Sequence, residues 1–319
     1  MIITKTPVRL SLLGGNTDLR DYFLNYGGLV LTVTIDKYIY CSVSKRIDDK
    51  IVVNYSEKEI VDDINDLKHD LVREALRLLN ITKGIEISFL ADIPTKGTGL
   101  GSSSACLVGL LNALHTYLGD NIGAKQLAEE AVKIELDILG KPIGLLDQNI
   151  VAVGGLRAIE FTPLGEVYCR RVDMEKRDEF NNSMMLFYTG ITRKSEEILK
   201  TFDVMENKTM LDLNKHFANN GIVALLKGNF KKFGELLDTY WEMKRKQVKK
   251  VSNPEIDKMY KKAKKAGAIG GKIIGAGGGG FLFVICKPEK RIAIKQALKK
   301  YNEMPFKLSD KGSEVILNI

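Results

Sequence analysis

The chain predicts an α+β fold, and three observations carry that expectation. Strand-like runs crowd the opening of the sequence, helical periodicity dominates much of its second half, and the two do not alternate in the regular βαβ order of a doubly wound sheet. At 319 residues, with 45% hydrophobic and 28% charged side chains, the chain can bury one large core or two ordinary ones.

Strands are expected at residues 2–6, 8–13, 29–35, 38–43 and 51–54, where β-branched and aromatic residues cluster. A helix is expected at 66–79 and a strand at 85–90. The stretch Gly97-Thr98-Gly99-Leu100-Gly101-Ser102-Ser103-Ser104-Ala105 follows that strand and opens a helix reaching about residue 118. The next helix, 124–139, stops at Gly140-Lys141-Pro142-Ile143-Gly144, as glycine and proline dictate. A strand pair at 155–172 closes the first half. The charged, asparagine-bearing stretch 173–183 marks a boundary between domains 1–175 and 176–319. Beyond it are expected a strand at 184–189, helices through 194–266, a strand–glycine–strand piece at 272–286, a helix at 288–301 and two short terminal strands.

Composition narrows the function classes. Cys41, Cys106, Cys169 and Cys286 are scattered without C-x-x-C spacing, which argues against zinc or redox motifs and for small buried hydrophobes. His69, His115 and His216 lack ligand spacing. A net charge of +8 suits anionic small molecules as readily as nucleic acid. Ten Lys or Arg residues lie between Lys244 and Lys265, interleaved with apolar residues at helical spacing. They read as the solvated face of surface helices, and no nucleic-acid motif accompanies them. No run approaches a membrane span, and no targeting signal is visible, so the expectation is a cytoplasmic protein with no membrane partner, monomeric or homodimeric.

The glycine–serine stretch carries the chemistry. Its glycines permit a tight backbone turn, and its serines stand where a helix begins with outward N–H groups, which makes an anion site suited to phosphate. It is not a Walker loop, because the Gly-Lys-Ser/Thr ending is missing. Residues 275–280 match G-x-G-x-x-G, but the run Phe281-Leu282-Phe283-Val284-Ile285 that follows reads as a strand, whereas a dinucleotide fingerprint opens a helix.

Three segments together are similar to the three signatures of the GHMP kinases: Pro7-Val8-Arg9-Leu10-Ser11-Leu12-Leu13-Gly14-Gly15-Asn16-Thr17-Asp18, the 97–105 loop, and Gly271-Lys272-Ile273-Ile274-Gly275-Ala276-Gly277-Gly278-Gly279-Gly280. Gly-Gly-x-Thr-Asp, Asp137-Ile138-Leu139-Gly140 and Asp147-Gln148-Asn149 resemble the sugar 1-kinases of that family, the heptose 7-phosphate kinases in particular. Asn16 stands where those kinases would carry glycine, and Leu145-Leu146 stands for a Lys-Gln pair.

The resemblance implies a two-domain fold, with a mixed α/β N-terminal domain, a ferredoxin-like C-terminal domain and the active site in the cleft between them. It implies ATP and Mg2+ as cofactors and a small-molecule sugar phosphate as acceptor, phosphorylated on the anomeric oxygen in nucleotide-activated heptose synthesis. Asp147 is implied to deprotonate or orient the sugar hydroxyl, with Arg9 beside it and the reacting phosphate. Lys96, Gly97, Gly99, Leu100, Gly101, Ser102, Ser103 and Ser104 are implied to bind nucleotide, with Ser102 and Glu135 holding magnesium. Gly15, Thr17 and Asp18 are implied to bind the sugar, although Asp18 also suits a helix cap. Gly277 and Gly278 shape the cleft. Lys272 contacts phosphate or simply flanks a strand. Arg193 and Lys194, at a strand-to-helix junction, bind a phosphate already on the substrate or merely start a helix.

Overall fold

The computed structural model describes residues 1–94, 97–192, 200, 202–248 and 250–319. In chain order the elements are β1 (Ile2–Leu13), α1 (Arg20–Tyr26), β2 (Gly28–Lys45), β3 (Ile51–Asn54), β4 (Lys58–Val61), α2 (Asp70–Leu78), β5 (Ile85–Ala91), α3 (Ser102–Leu118), α4 (Ala124–Val132), α5 (Leu146–Val153), β6 (Leu156–Phe161), β7 (Val167–Arg171), α6 (Arg177–Ser183) and β8 (Met184–Tyr188). They continue as α7 (Lys208–Leu226), α8 (Phe230–Gln247), α9 (Pro254–Lys265), β9 (Ala268–Ile273), β10 (Phe281–Cys286), α10 (Arg291–Ala297) and β11 (Glu314–Asn318).

The four strands expected at the start are two long ones. β1 passes through Pro7 because its register against β2 slips between Pro7 and Arg9. An irregularity of that kind accommodates the missing proline N–H. β2 is long enough to serve two neighbours on one side, pairing β6 through Gly28–Val33 and β5 through Ile39–Lys45. The eight-stranded sheet runs β11-β1-β2-β5-β3-β4, with β6 and β7 joined at β2. Helix α3 packs on β1 and β2, burying Leu107, Leu110, Leu111 and Leu114.

The second sheet is antiparallel, in the order β8-β10-β9. The segment at Glu303 lies beyond β8, through the bridge Phe187–Glu303 and the bond from Met304 N–H to the Leu186 carbonyl (2.8 Å). That completes the ferredoxin-like order of segments. Every residue of β10 is buried, and alternation sends its side chains into two cores. Phe281, Phe283 and Ile285 join the cluster shared with the large sheet. Leu282, Val284 and Cys286 join Trp241, Met259 and Tyr260 on the other face.

Elements that sequence reasoning did not anticipate include α1, β4 and α6. Helix α6 occupies the charged stretch expected to be a boundary, and its Phe180 is fully buried against Phe230 and Phe233. The segment at 288–301 is shorter as a helix than expected, because Pro288–Lys290 is a 3-10 turn and α10 ends at Ala297. β11 returns to pair with β1, so the large sheet takes strands from both sides of residue 175. Among the described residues no helix is long and apolar enough to cross a membrane.

Candidate active site

Arg9 is aimed by the irregularity in β1. Its N–H leaves the ladder and donates to the Leu100 carbonyl (2.9 Å), tying the strand to the glycine loop. Its guanidinium is 6% exposed and grips Asp147 with two bonds, Nε to Oδ1 (2.7 Å) and Nη2 to Oδ2 (2.6 Å), while Nη1 reaches the Gly99 carbonyl. A fork-to-fork pair fixes the carboxylate in both position and plane.

Asp147 does not sit in a loop, as its sequence surroundings suggested. It lies in the first turn of α5, where an acidic group is favoured by the helix dipole. The run that follows, Leu146-Asp147-Gln148-Asn149-Ile150, is too short and mixed to show helical periodicity from sequence.

Asp18 is 8% exposed and acts as a cap, but not on the helix that follows it. Helix α1 has Leu19 at its N-cap, with no side-chain cap bond. Instead Asp18 Oδ2 accepts from Leu146 N–H (3.1 Å), and the Asp18 carbonyl accepts from Leu145 N–H (3.2 Å), so the turn after β1 caps α5. Burial pushes the Asp18 carboxyl up to about 6, and the nearby Asp147 charge adds to the rise. Gly144 must be glycine, since a Cβ there would lie 2.0 Å from Asp18 Oδ2. Asn16 has φ of +69°, the left-handed region that asparagine tolerates and glycine prefers. The substitution at that position therefore preserves the turn.

Thr17 is fully buried within this turn. Its hydroxyl bonds the Gly14 and Leu29 carbonyls (2.7 and 3.1 Å), which holds the loop rather than a ligand. Gly15 faces the cleft.

The glycine loop and the third glycine-rich segment are packed together. A Cβ on Gly99 would lie 2.5 Å from the Ile274 carbonyl oxygen, and one on Gly280 would lie 2.3 Å from that of Thr98. Gly97, Gly99 and Gly101 all have positive φ, and Gly101 is the left-handed N-cap of α3 with no side chain capping it. The first turn of α3, Ser102 onward, thus keeps its N–H groups without a side-chain cap, as a phosphate site needs.

Glu135 lies on a π-helical turn, Lys133–Ile138, and is fully buried. It accepts from Ser103 Oγ (2.9 Å), Ser104 Oγ (2.7 Å) and Gln148 Nε2 (2.6 Å). Ser102 is not among its hydrogen-bond partners in the described residues. Burial pushes the Glu135 carboxyl up, against the pull of Ser104, Lys141, Gln148 and Ser103. One carboxylate ringed by hydroxyls is an oxygen-only donor set, and magnesium shells of that kind draw their remaining oxygens from phosphate and water. No group of three or more His, Cys, Asp or Glu able to hold a metal occurs among the described residues. These residues fit magnesium carried on a nucleotide and do not form an all-protein cage.

Arg9, Asp18 and Asp147 line one cleft with Gly15, Asn16, Ile143 and Gly144, closed on the far side by Lys244, Lys272, Gly275 and Ala276. It encloses about 660 Å³ open to solvent, in the range for a small ligand. Gly275 and Ala276 provide this wall, whereas Gly277 and Gly278, expected there, face Val251. Lys244 was expected on a solvated helix face, but it is 4% exposed on the last turn of α8. Its position inside a run of lysines hid it, and the buried Trp241 three residues earlier was the available signal. Lys272 is fully buried, donates from Nζ to the Ser11 and Leu12 carbonyls (2.8 and 3.3 Å), and lies 5.0 Å over the Tyr240 ring. Lys96, Arg193 and Lys194 lie outside the described residues.

Comparison with known proteins adds to this geometry. Residues 69–155 match the GHMP kinases N terminal domain, and residues 222–303 match GHMP kinases C terminal. A D-glycero-alpha-D-manno-heptose 7-phosphate kinase of Campylobacter jejuni is 32% identical, with 94% of this chain and 93% of that protein covered. An L-fucokinase/L-fucose-1-P guanylyltransferase of Bacteroides fragilis is 27% identical over 98% of this chain but only 38% of that longer protein. The crystal structure of a D-glycero-D-manno-heptose 1-phosphate kinase from Bacteroides thetaiotaomicron superposes with a TM-score of 0.83 at 27% identity, covering 100% of both chains.

Proposed function

The chain belongs to the GHMP kinase family and is an ATP-dependent phosphotransferase with an alcohol acceptor, and from that premise we propose that it phosphorylates the anomeric hydroxyl of D-glycero-D-manno-heptose 7-phosphate, giving the 1,7-bisphosphate. The reaction would serve nucleotide-activated heptose synthesis for surface polysaccharide. The supporting observation is the meeting of two half-sites at one ion pair. Arg9 bonds the glycine loop at Gly99 and Leu100 on one side and Asp147 on the other, where the cleft with Asp18 opens.

In this reading the glycine loop and the first turn of α3 hold the ATP phosphates. Asp18 accepts sugar hydroxyls and sets which of them faces Asp147. A site built on such bonds rejects acceptors lacking the hydroxyl. Asp147 aligns the acceptor oxygen for in-line attack. Both its carboxylate oxygens are held by Arg9, so orientation is a larger part of its role than proton removal. Arg9 offsets charge on the transferred group. Glu135 and Ser102 would hold magnesium, which supplies charge neutralisation on the phosphates when bound.

The test is turnover with ATP and magnesium across D-glycero-D-manno-heptose 7-phosphate, free fucose and free galactose. The heptose phosphate should have the highest kcat/KM. A higher value for a free sugar would assign the chain to another sugar 1-kinase activity.

A further inference from the structure

Resting on the reading above, we propose that Lys244, backed by Lys272, forms the subsite for a phosphate already carried by the acceptor sugar. Arg9, Lys244 and Lys272 all line the cleft, with Asp18 and Asp147 as its carboxylates. Arg9 and Asp147 are committed to each other by two short bonds. Lys272 has backbone carbonyls and an aromatic face as its partners among the described residues, with no carboxylate. Two ammonium groups, 4% and 1% exposed, therefore share one wall. Burial holds the Lys272 ammonium well below its usual range, and the charges of Lys244 and Arg9 press it further the same way. Buried cations are costly unless an anion meets them, and a phosphate dianion meets two at once.

Position decides which phosphate this is. The cleft is walled by the turn of Gly15, Asn16 and Asp18, while residues 97–101 of the glycine loop do not line it. Lys244 thus stands in the acceptor half. The Tyr240 hydroxyl supports the same place. It is buried with no hydrogen-bond partner among the described residues, and it sits under Gly15, where a Cβ would be 3.3 Å away. A hydroxyl donor beside two ammonium groups is a suitable set for the oxygens of a phosphate monoester.

The experiment compares one sugar with and without its phosphate, heptose 7-phosphate against the free heptose, at saturating ATP. In Lys244→Met the ratio of the two kcat/KM values should fall at least tenfold, and Lys244→Arg should restore most of it. An unchanged ratio would overturn the subsite. The wild-type enzyme gives a second reading that needs no folded variant. Inorganic phosphate should inhibit competitively against the acceptor and not against ATP, and competition with ATP alone would reject the assignment. If neither heptose is turned over, the heptose reading itself fails. The inhibition pattern is then measured with whichever sugar is accepted, and it judges the Lys244 subsite independently.

Discussion

Arg9 holds Asp147 by both carboxylate oxygens, at 2.7 and 2.6 Å, and the same guanidinium touches the glycine loop. One side chain therefore sets the distance between acceptor and donor half-sites. Asp147→Asn removes a charge and one acceptor from that fork while keeping its shape. Turnover should fall at least tenfold, about 1.4 kcal/mol of barrier, with ATP affinity preserved. Steady-state kinetics and calorimetric ATP binding check this, and undiminished turnover would remove Asp147 from the mechanism. Arg9→Lys should also lose turnover, because an ammonium cannot span both oxygens.

The Asp18 carboxyl, raised to about 6 by burial and then by Asp147, makes a pH prediction with a definite sign. Its proton leaves the unfolded chain near pH 4 but the folded protein only near pH 6. The neutral form's contribution to stability is thus full below pH 4, declines between about 4 and 6, and stays lost above; the two-unit shift corresponds to roughly 3 kcal/mol. Asp18→Asn should raise the Tm at pH 8, and the gain should vanish near pH 4. Acceptor KM moves the other way in the wild type. It should rise as pH drops below 6, since a protonated Asp18 loses acceptor capacity. Melting curves and acceptor titrations at pH 5, 6 and 8 test both halves, and a pH-independent difference in Tm would refute the titration.

Much of this was legible in the residues, and the gaps have physical causes. The phosphate loop could be placed because glycines and serines at a helix start are local chemistry. The ferredoxin-like half was readable only through resemblance, since its fourth strand position is a bridge at Glu303 that no strand pattern marks. Asp18 could be seen as a cap but not as the cap of α5, because Leu146 is far along the chain and only the fold brings it near. Lys244 was hidden for the opposite reason, since its neighbours in sequence are exposed lysines and its burial depends on β9 and β1 packing under α8. The π-turn at Glu135 has no sequence mark. Its reward is tertiary, three donors converging on one carboxylate.

Glu135 supplies the next prediction. Glu135→Gln keeps the size of the side chain but loses the charge, and one of its oxygens becomes a donor facing Ser104 or Gln148. The magnesium concentration for half-maximal activity should rise at least tenfold, about 1.4 kcal/mol by the usual conversion, with a smaller change in acceptor KM. Magnesium titration at fixed ATP reads this directly. An unaltered magnesium requirement would confine Glu135 to holding α3 and α5 together.

Gly144 offers a test of the cleft that leaves every charged group in place. A Cβ there would lie 2.0 Å from Asp18 Oδ2 and 2.4 Å from its Cγ, so Asp18 must turn away for alanine to fit. The turn would cost the Leu146 bond as well, which weakens the cap on α5. Overpacking of this kind typically costs about 1–3 kcal/mol. Acceptor KM should rise in Gly144→Ala while ATP KM stays within about twofold, because the glycine loop is tied to Arg9 rather than to Asp18. Combining Gly144→Ala with Asp18→Asn should add little to the KM defect of Asp18→Asn alone, since both act through one carboxylate. Full additivity of the two effects would mean that the glycine acts on the acceptor by some route other than Asp18.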